Sequence, residues 1–259
     1  MRRNLNWYGC YSLYKKEIKK FITNAGQKII APIISSITLF AVLNLSIGLP
    51  SGQHCGIAQK DLMVCGLCMQ LILQSAFSAT AGSIVLAKVI GYVYELLFPP
   101  LSSASILISH TLSAVTEAIC TGILLFIVLL PFTQINLLKT DFLSLIYFAI
   151  SASTTLSMLG MITGILSKDF GHMYAVTACT IVPLSFLSCT FYPLVSLPKK
   201  MQSIILYNPF FYFIDGFRYS LTGYSDVAII NGVVITLIVM LSTAFITKKL
   251  LDSGYGLKQ

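Results

Sequence analysis

The chain has 259 residues, of which 56% are hydrophobic and only 10% are charged, whereas soluble domains carry roughly 25% charged residues. This composition excludes a soluble globular protein and indicates one integral membrane domain whose uncharged runs cross a bilayer repeatedly. The formal net charge of +8 does not indicate nucleic-acid binding, because many of the basic residues crowd the two ends of the chain. Lys and Arg beside membrane spans are retained on the cytoplasmic side, so both termini are predicted to be cytoplasmic.

Residues 1–28 are predicted to form a cytoplasmic amphipathic lead-in. Aromatic and aliphatic side chains alternate there with lysines, which is typical of a helix that lies at the headgroup level of a membrane. The lead-in does not resemble a cleavable signal peptide, since its charged part is long and the following apolar run is of spanning length without a small-residue cleavage site. We therefore expect it to remain in the mature protein.

Six membrane spans are predicted in a transmembrane domain at 29–247, followed by a cytoplasmic tail at 248–259. Each span is an apolar run of about 20 residues or more, which is the length that a helix needs to cross a bilayer. A seventh span after the second would place the C-terminal lysines outside the cell, so the charge bias favours six. The predicted spans are 29–49, 62–86, 105–130, 142–166, 173–195 and 227–247.

Glu117 lies near the middle of predicted span three. A carboxyl group at that depth costs about 2.5–3.5 kcal/mol on insertion scales unless it is paired or faces water. Glu117 is therefore either an interhelical packing group, protonated or hydrogen-bonded to Ser or Thr, or part of the polar lining of a pathway. The residues around it leave both interpretations open.

Cys65 and Cys68 share a face of predicted span two and are flanked by methionines. Soft sulfur ligands with this spacing could hold Cu(I). The favoured interpretation is a pair of small buried packing residues, because Cys is a good buried hydrophobe and predicted span two contains no His or acidic residue.

The motifs of ATP hydrolysis and of hydrolytic enzymes are absent from the sequence. It contains no Gly-x-x-x-x-Gly-Lys-Ser/Thr phosphate loop, no Gly-x-Ser-x-Gly elbow and no His-Glu-x-x-His zinc motif, so neither a P-loop ATPase nor a hydrolase is indicated. We therefore expect no catalytic residue, no cofactor and no metal in this chain.

The stretch from Asn208 to Gly223 is aromatic and lies between predicted spans five and six. A short helix that begins at Pro209 would set Asp215 and Arg218 at i and i+3, within pairing distance. The aromatic rings are expected at the headgroup level. We predict an interfacial cap rather than a direct substrate site, with an exposed ion pair worth less than ~1 kcal/mol that fixes a turn.

Several stretches, in the right order, resemble the ABC-2 class of ABC-transporter permeases, in particular its small half-size bacterial type. One precedes span three and the others follow span five: Tyr94-Glu-Leu-Leu-Phe-Pro-Pro-Leu-Ser102, Thr190-Phe-Tyr-Pro193, Tyr207-Asn-Pro209, Phe217-Arg-Tyr219 and Gly223-Tyr-Ser-Asp226. The resemblance covers essentially the whole chain, and the run at 190–226 is the most specific part.

The resemblance implies an all-α integral membrane protein of the type V exporter kind. Its six transmembrane helices would be accompanied by an N-terminal amphipathic interfacial helix, a cytoplasmic coupling helix after span two and outer re-entrant helices before span six. By the same resemblance, the residues that couple to an ATPase would be Tyr94, Glu95, Leu96, Leu97, Pro99 and Pro100. The outer cap would contain Asn208, Pro209, Asp215, Arg218 and Gly223.

The function that the resemblance implies is that of the permease subunit of an ATP-driven exporter in a bacterial inner membrane. Two copies would form the pathway for an amphipathic or lipid-like substrate, such as a drug, lipid or glycolipid, among membrane lipids, and two separate ABC ATPase subunits would bind ATP and Mg. An alternative is export of a cell-surface polysaccharide or lipid-linked glycan. A different class, a secondary transporter or channel without an ATPase, would need inverted repeats or several intramembrane charges.

Overall fold

The computed structural model describes residues 7–46, 53–54, 57–91, 102–135 and 140–254. These residues are almost entirely helical, apart from an antiparallel pair of two-residue strands, β1 (Gln53–His54) and β2 (Ile57–Ala58). The helices are α1 (Trp7–Thr23), α2 (Ala31–Ser46), α3 (Gln59–Val89), α4 (Ser103–Leu129), α5 (Phe142–Leu166), α6 (Phe170–Val176), α7 (Val182–Phe186), α8 (Lys199–Leu206), α9 (Pro209–Thr222) and α10 (Ile229–Ser253).

Two short π-helical turns each stand directly before a proline-containing helix. Gly26–Ile30 leads into α2, where Pro32 follows, and Thr177–Ile181 joins α6 to α7, where Pro183 follows. Proline has no N–H to give to an α-helical ladder, and a π turn is one way in which a helix absorbs such an interruption. The helix therefore continues through both prolines.

Five helices are long and apolar enough to cross a membrane, by length and composition: Gly26–Leu45, Gln59–Val89, Ser103–Phe132, Phe142–Leu166 and Ile229–Ser253. The sixth predicted span, 173–195, corresponds to the shorter apolar helix Phe170–Phe186. This helix ends before the predicted boundary, and the chain turns at Cys189, whose φ is 57°. The all-helical class is confirmed, whereas the count of six spans remains a prediction.

Helix α3 is the centre of the bundle, because it is buried on nearly all sides and packs against α4 and α5. Small residues set the distance between α3 and α5, as is common where membrane helices pack closely. A Cβ atom at Gly164 would lie 2.9 Å from Cβ of Ile84, and one at Gly160 would collide with the carbonyl of Phe77. The two backbones can approach closely only because these side chains are absent.

Helices α2 and α10 lie at the edge of the bundle. Most of α2 is exposed, although Phe40 is buried. Helix α10 contacts α5 through a seam of small residues, in which the hydroxyls of Thr236 and Tyr147 lie 3.1 Å apart. The remaining faces of both helices are apolar and exposed, as expected of helices that contact lipid or another protein chain.

Candidate functional site

Helix α9 organises a buried network of polar and charged side chains. It begins at Pro209, whose fixed φ suits the first position of a helix. Asn208 caps it by accepting a hydrogen bond from the backbone N–H of Phe210 at 3.1 Å. The amide of Asn208 also donates to the carbonyl of Leu184 and to Oγ of Ser188, both at 2.8 Å. The start of α9 is therefore fixed to the end of α7.

Arg218, in the middle of α9, is completely buried and binds two parts of the chain that are not helical. Its Nη1 lies 2.9 Å from Oδ2 of Asp226 and 3.9 Å from Oδ1 of Asp215, and its Nη2 donates to the carbonyl of Cys189. We call Cys189, Asp215, Arg218 and Asp226 the arginine cluster. A guanidinium group suits this position, because its planar fork can donate to several acceptors at once.

The two carboxylates of the arginine cluster also bind the backbone. Asp226 accepts hydrogen bonds from the N–H of Leu194 at 3.1 Å and from the hydroxyl of Tyr224 at 2.9 Å. Asp215 accepts from the N–H groups of Asp226 at 2.9 Å and of Val227 at 3.3 Å. The cluster thus joins the turn after α7, helix α9 and the segment that leads into α10.

Burial dominates the electrostatics of Asp215, which lies in α9 and outside the five candidate spans. It raises the pKa of this carboxyl from 3.8 to about 6, although the N–H of Asp226 and the charge of Arg218 act in the opposite direction. Removing a carboxylate from water disfavours its charged form, which explains the direction.

The predicted exposed ion pair between Asp215 and Arg218 is wrong in its location, because both side chains are buried. The closer partner of Arg218 is Asp226, which lies beyond the end of α9. Gly223 ends α9 in the left-handed conformation, with a φ of 76°, and so returns the chain towards Arg218. The aromatic residues of α9 are also largely buried rather than exposed in a belt.

Sequence reasoning missed Asp226 as a partner, although a signal for it was present. Asp226 closes the stretch Gly223-Tyr-Ser-Asp226, which carries part of the family resemblance. A turn-forming glycine followed by a carboxylate places an acid close to the preceding helix. The remaining predicted cap residues, Asn208, Pro209 and Gly223, set the start and the end of that helix.

Glu117 has a cationic partner. Nζ of Lys28 donates to both of its carboxylate oxygens, at 2.8 and 2.9 Å, and the Glu117 side chain is almost fully buried. Lys28 lies in the π turn between α1 and α2, so the pair connects that junction to α4. The expected hydrogen bond from Ser or Thr is not the main contact, since the partner is a lysine from the predicted lead-in.

Helix α1 packs along the side of α4 that carries Glu117. Its Cys10 lies against Ser105 and Ser109, and its Tyr14 hydroxyl is 3.2 Å from Oγ1 of Thr116. Nearby, Glu17 accepts a hydrogen bond from Ser83 of α3 at 2.8 Å. Helix α1 is thus attached to the bundle by polar contacts along its length.

The other predicted residues divide into two groups. The proposed ATPase-coupling residues, Tyr94, Glu95, Leu96, Leu97, Pro99 and Pro100, lie outside the described residues. Cys65 and Cys68 lie in α3 and are fully buried in the hydrophobic core of the bundle. Within the described part of the chain, no group of three or more His, Cys, Asp or Glu residues is arranged to hold a metal ion.

Comparison with known proteins assigns a family to this arrangement of helices. The ABC-2 type transporter family matches residues 8–222, which is most of the chain. The chain is 27% identical over 255 residues to the inner membrane transport permease YadH of Escherichia coli K12, covering 98% of this chain and 99% of YadH, and the same figures hold for YadH of Shigella flexneri. A shorter stretch of 57 residues is 35% identical to the polysialic acid transport protein KpsM of Escherichia coli, covering 22% of each chain. The chain therefore belongs to the ABC-2 type transporter family.

Proposed function

We propose that this chain is the permease subunit of an ATP-driven exporter in a bacterial inner membrane. It would form the pathway as a homodimer, and two separate ABC ATPase subunits would bind ATP and Mg and supply the energy. The observation that carries the proposal is the match to one transporter family from 8 to 222, together with the near-complete coverage by a relative named as an inner membrane transport permease. The proposed topology has six spans with both termini in the cytoplasm.

The exposed faces of the edge helices support a second copy as partner. Ile34, Val42 and Leu45 of α2 are each more than half exposed, at 58%, 51% and 81%. A span that contacts so little of its own chain has room for a helix of another copy along its length. The face is mostly apolar, with the small polar residue Thr38 between Ile34 and Val42, and small or hydroxyl residues among apolar ones suit a helix contact within a bilayer.

The contacts of α1 support a route by which an ATPase could act on the spans. Trp7, Tyr8 and Tyr11 are exposed on α1, while its other side is attached to α4 by the polar contacts described above. The Lys28–Glu117 pair follows at the junction with α2. We propose that an ATPase touches α1 and the segment around Tyr94–Pro100, and that this pair transmits the movement of α1 to α4.

Helices α8 and α9 form the proposed outer cap of the pathway: the arginine cluster holds α9, and the hydroxyl of Tyr212 in α9 donates to the carbonyl of Leu206 at the end of α8. Its bonds link three segments between α7 and α10, so the cap would move as one unit. Arg218 is the central residue in this role, because it alone contacts both Asp226 and the turn at Cys189. We assign Asp215 and Arg218 to the structure of the cap rather than to contact with substrate.

The substrate class in this proposal is an amphipathic or lipid-like molecule. The alternative is a cell-surface polysaccharide or lipid-linked glycan, and the short match to a polysialic acid transport protein favours it. Deleting the gene separates the two: the first predicts cellular retention of a lipid or drug, and the second predicts a cytoplasmic glycan with loss of the surface polymer. A secondary transporter without an ATPase has less support, since the family match is to ABC-2 type transporters.

The test is co-purification. The tagged chain is expressed with a candidate ABC ATPase from the same genome, and ATP hydrolysis is measured in the eluate. We expect a complex that survives washing and hydrolyses ATP. Glu95→Lys, in the proposed coupling segment, should weaken the complex, whereas Lys200→Glu on exposed α8 should leave it intact. A tagged chain that never retains an ATPase contradicts the proposal.

A further inference from the structure

An apolar crevice lies where α4, α5 and α9 meet over the centre of α3. Its volume is about 310 Å³, and its walls expose no polar atom. The floor is made of buried side chains, including Ile72 of α3, Ala149 of α5 and Leu221 of α9. No residue of the arginine cluster or of the Lys28–Glu117 pair lines the crevice.

The mouth of the crevice lies at the surface of α4 and α5, where the lining residues are exposed. Ile123 of α4 and Ile146 of α5 stand at the mouth and are each 53% exposed. Both belong to helices that are long and apolar enough to cross a membrane. The crevice is therefore continuous with the apolar surface that these two spans present to the bilayer.

Water does not suit this space, since apolar cavities without hydrogen-bonding partners stay dry. An unfilled space would deprive the lining atoms of dispersion contacts on one side. A polar partner would find no hydrogen-bonding atom exposed on these walls. The occupant must therefore be apolar, and the bilayer around membrane spans supplies apolar chains at the mouth of the crevice.

We infer that the crevice holds one acyl chain of a membrane phospholipid. The acyl chain lies between α4 and α5 and contacts Phe217 and Leu221, which flank Arg218 on α9. Ser220, between them, accepts a hydrogen bond from the backbone N–H of Asp141, just before α5, at 2.9 Å. The bound lipid thus supports α9 through Phe217 and Leu221 and fixes its position against α5.

The test uses the purified full chain in detergent, without an ATPase, so it is independent of the proposed export. The chain contains one tryptophan, Trp7, and Trp7→Phe gives a background without it. Phe126→Trp places a probe at the crevice wall, and Phe245→Trp places the control on α10, where Phe245 is 69% exposed. Dibrominated phosphatidylcholine, which quenches tryptophan fluorescence on contact, is then titrated into each variant.

We expect the Phe126→Trp signal to be quenched saturably at about one lipid per chain. The Phe245→Trp signal should fall only in proportion to the lipid content of the micelles. Ala149→Leu, which fills the floor, should remove the saturable component, and Ile146→Phe, which narrows the mouth at a half-exposed position, should weaken it several-fold. The second variant keeps the test valid if the first does not fold.

Two results would overturn the inference. Equal and proportional quenching of both probes, with no saturable component, would mean that the crevice is ordinary lipid-facing surface or is reserved for another ligand. A Phe126→Trp signal shielded from lipid altogether would mean that a side chain from a second copy fills the space.

Discussion

Nη1 of Arg218 lies 2.9 Å from Oδ2 of Asp226, and both side chains are fully buried. The two residues belong to different segments, since Arg218 is inside α9 and Asp226 lies after the turn at Gly223. Because the guanidinium also binds the carbonyl of Cys189, one side chain joins the turn after α7, helix α9 and the approach to α10. The buried ion pair thus fixes the position of the proposed cap.

Removing the charge of Arg218 should destabilise the protein strongly. Breaking a buried pair by deleting one partner typically costs about 3–5 kcal/mol, because the other charge remains buried without compensation. Arg218→Met leaves Asp215 and Asp226 buried without their cationic partner. We therefore expect a clear fall in the melting temperature of the purified protein. Lys200→Met, on exposed α8, is the matched control and should change it little. Equal melting temperatures for the two variants would refute a structural role of the pair.

Asp215 should make stability depend on pH between about 4 and 6. Its pKa is raised from 3.8 to about 6 in the folded protein, so in this window the folded state holds a proton that the unfolded state has lost. Stability therefore falls as the pH rises through the window, by at most about 3 kcal/mol for this group. Asp215→Asn removes this component, and the difference between the wild-type and variant melting temperatures should change from pH 4 to pH 7. Parallel curves across that range would exclude the assignment.

The Lys28–Glu117 pair should contribute to stability and to coupling without being essential for transport. Glu117→Gln and Lys28→Met should each lower the melting temperature, and the double variant should lose less than the sum, with a coupling energy of about 0.5–3 kcal/mol. Because Gln keeps the shape of Glu117, we expect Glu117→Gln to retain most of the export activity. Complete loss of export at normal expression would instead place Glu117 in the pathway.

Two glycines of α3 should respond in opposite ways to alanine. A Cβ at Gly66 would collide with the backbone carbonyl of Thr190, whereas a Cβ at Gly82 would meet nothing within 4 Å. Gly66→Ala should therefore destabilise the protein by about 1–3 kcal/mol through overpacking. Gly82→Ala should stabilise it by about 0.4–1 kcal/mol, because alanine lowers the conformational entropy of the unfolded chain. Chemical or thermal unfolding of both variants checks this, and a tolerated Gly66→Ala would show that α3 and the turn at Thr190 are farther apart.

Five of the six predicted spans overlap helices that are long and apolar enough to cross a membrane, because hydropathy reports directly whether a segment can enter a bilayer. It could not tell a helix buried by protein from one facing lipid. Helix α3 and helix α2 are both apolar, yet α3 is the buried centre and α2 is largely exposed. Both environments favour the same residue types, so composition alone does not separate them.

The partners of the charged residues were the least predictable feature. The spacing of Asp215 and Arg218 within one helix was visible in the sequence, and it led to an exposed local pair. The burial of Arg218 depends on Asp226, and the turn at Gly223 brings Asp226 back against the helix. Lys28 and Glu117 are further apart still, on different helices, and nothing local in a single sequence connects them.

The composition of the complex tests the central claim most directly. The tagged chain is purified with its co-expressed ABC ATPase, and the mass of the intact assembly is measured by native mass spectrometry. The account predicts two copies of this chain with two ATPase subunits, and this assembly should hydrolyse ATP. A single copy of the chain without any ATPase, still able to transport, would contradict it.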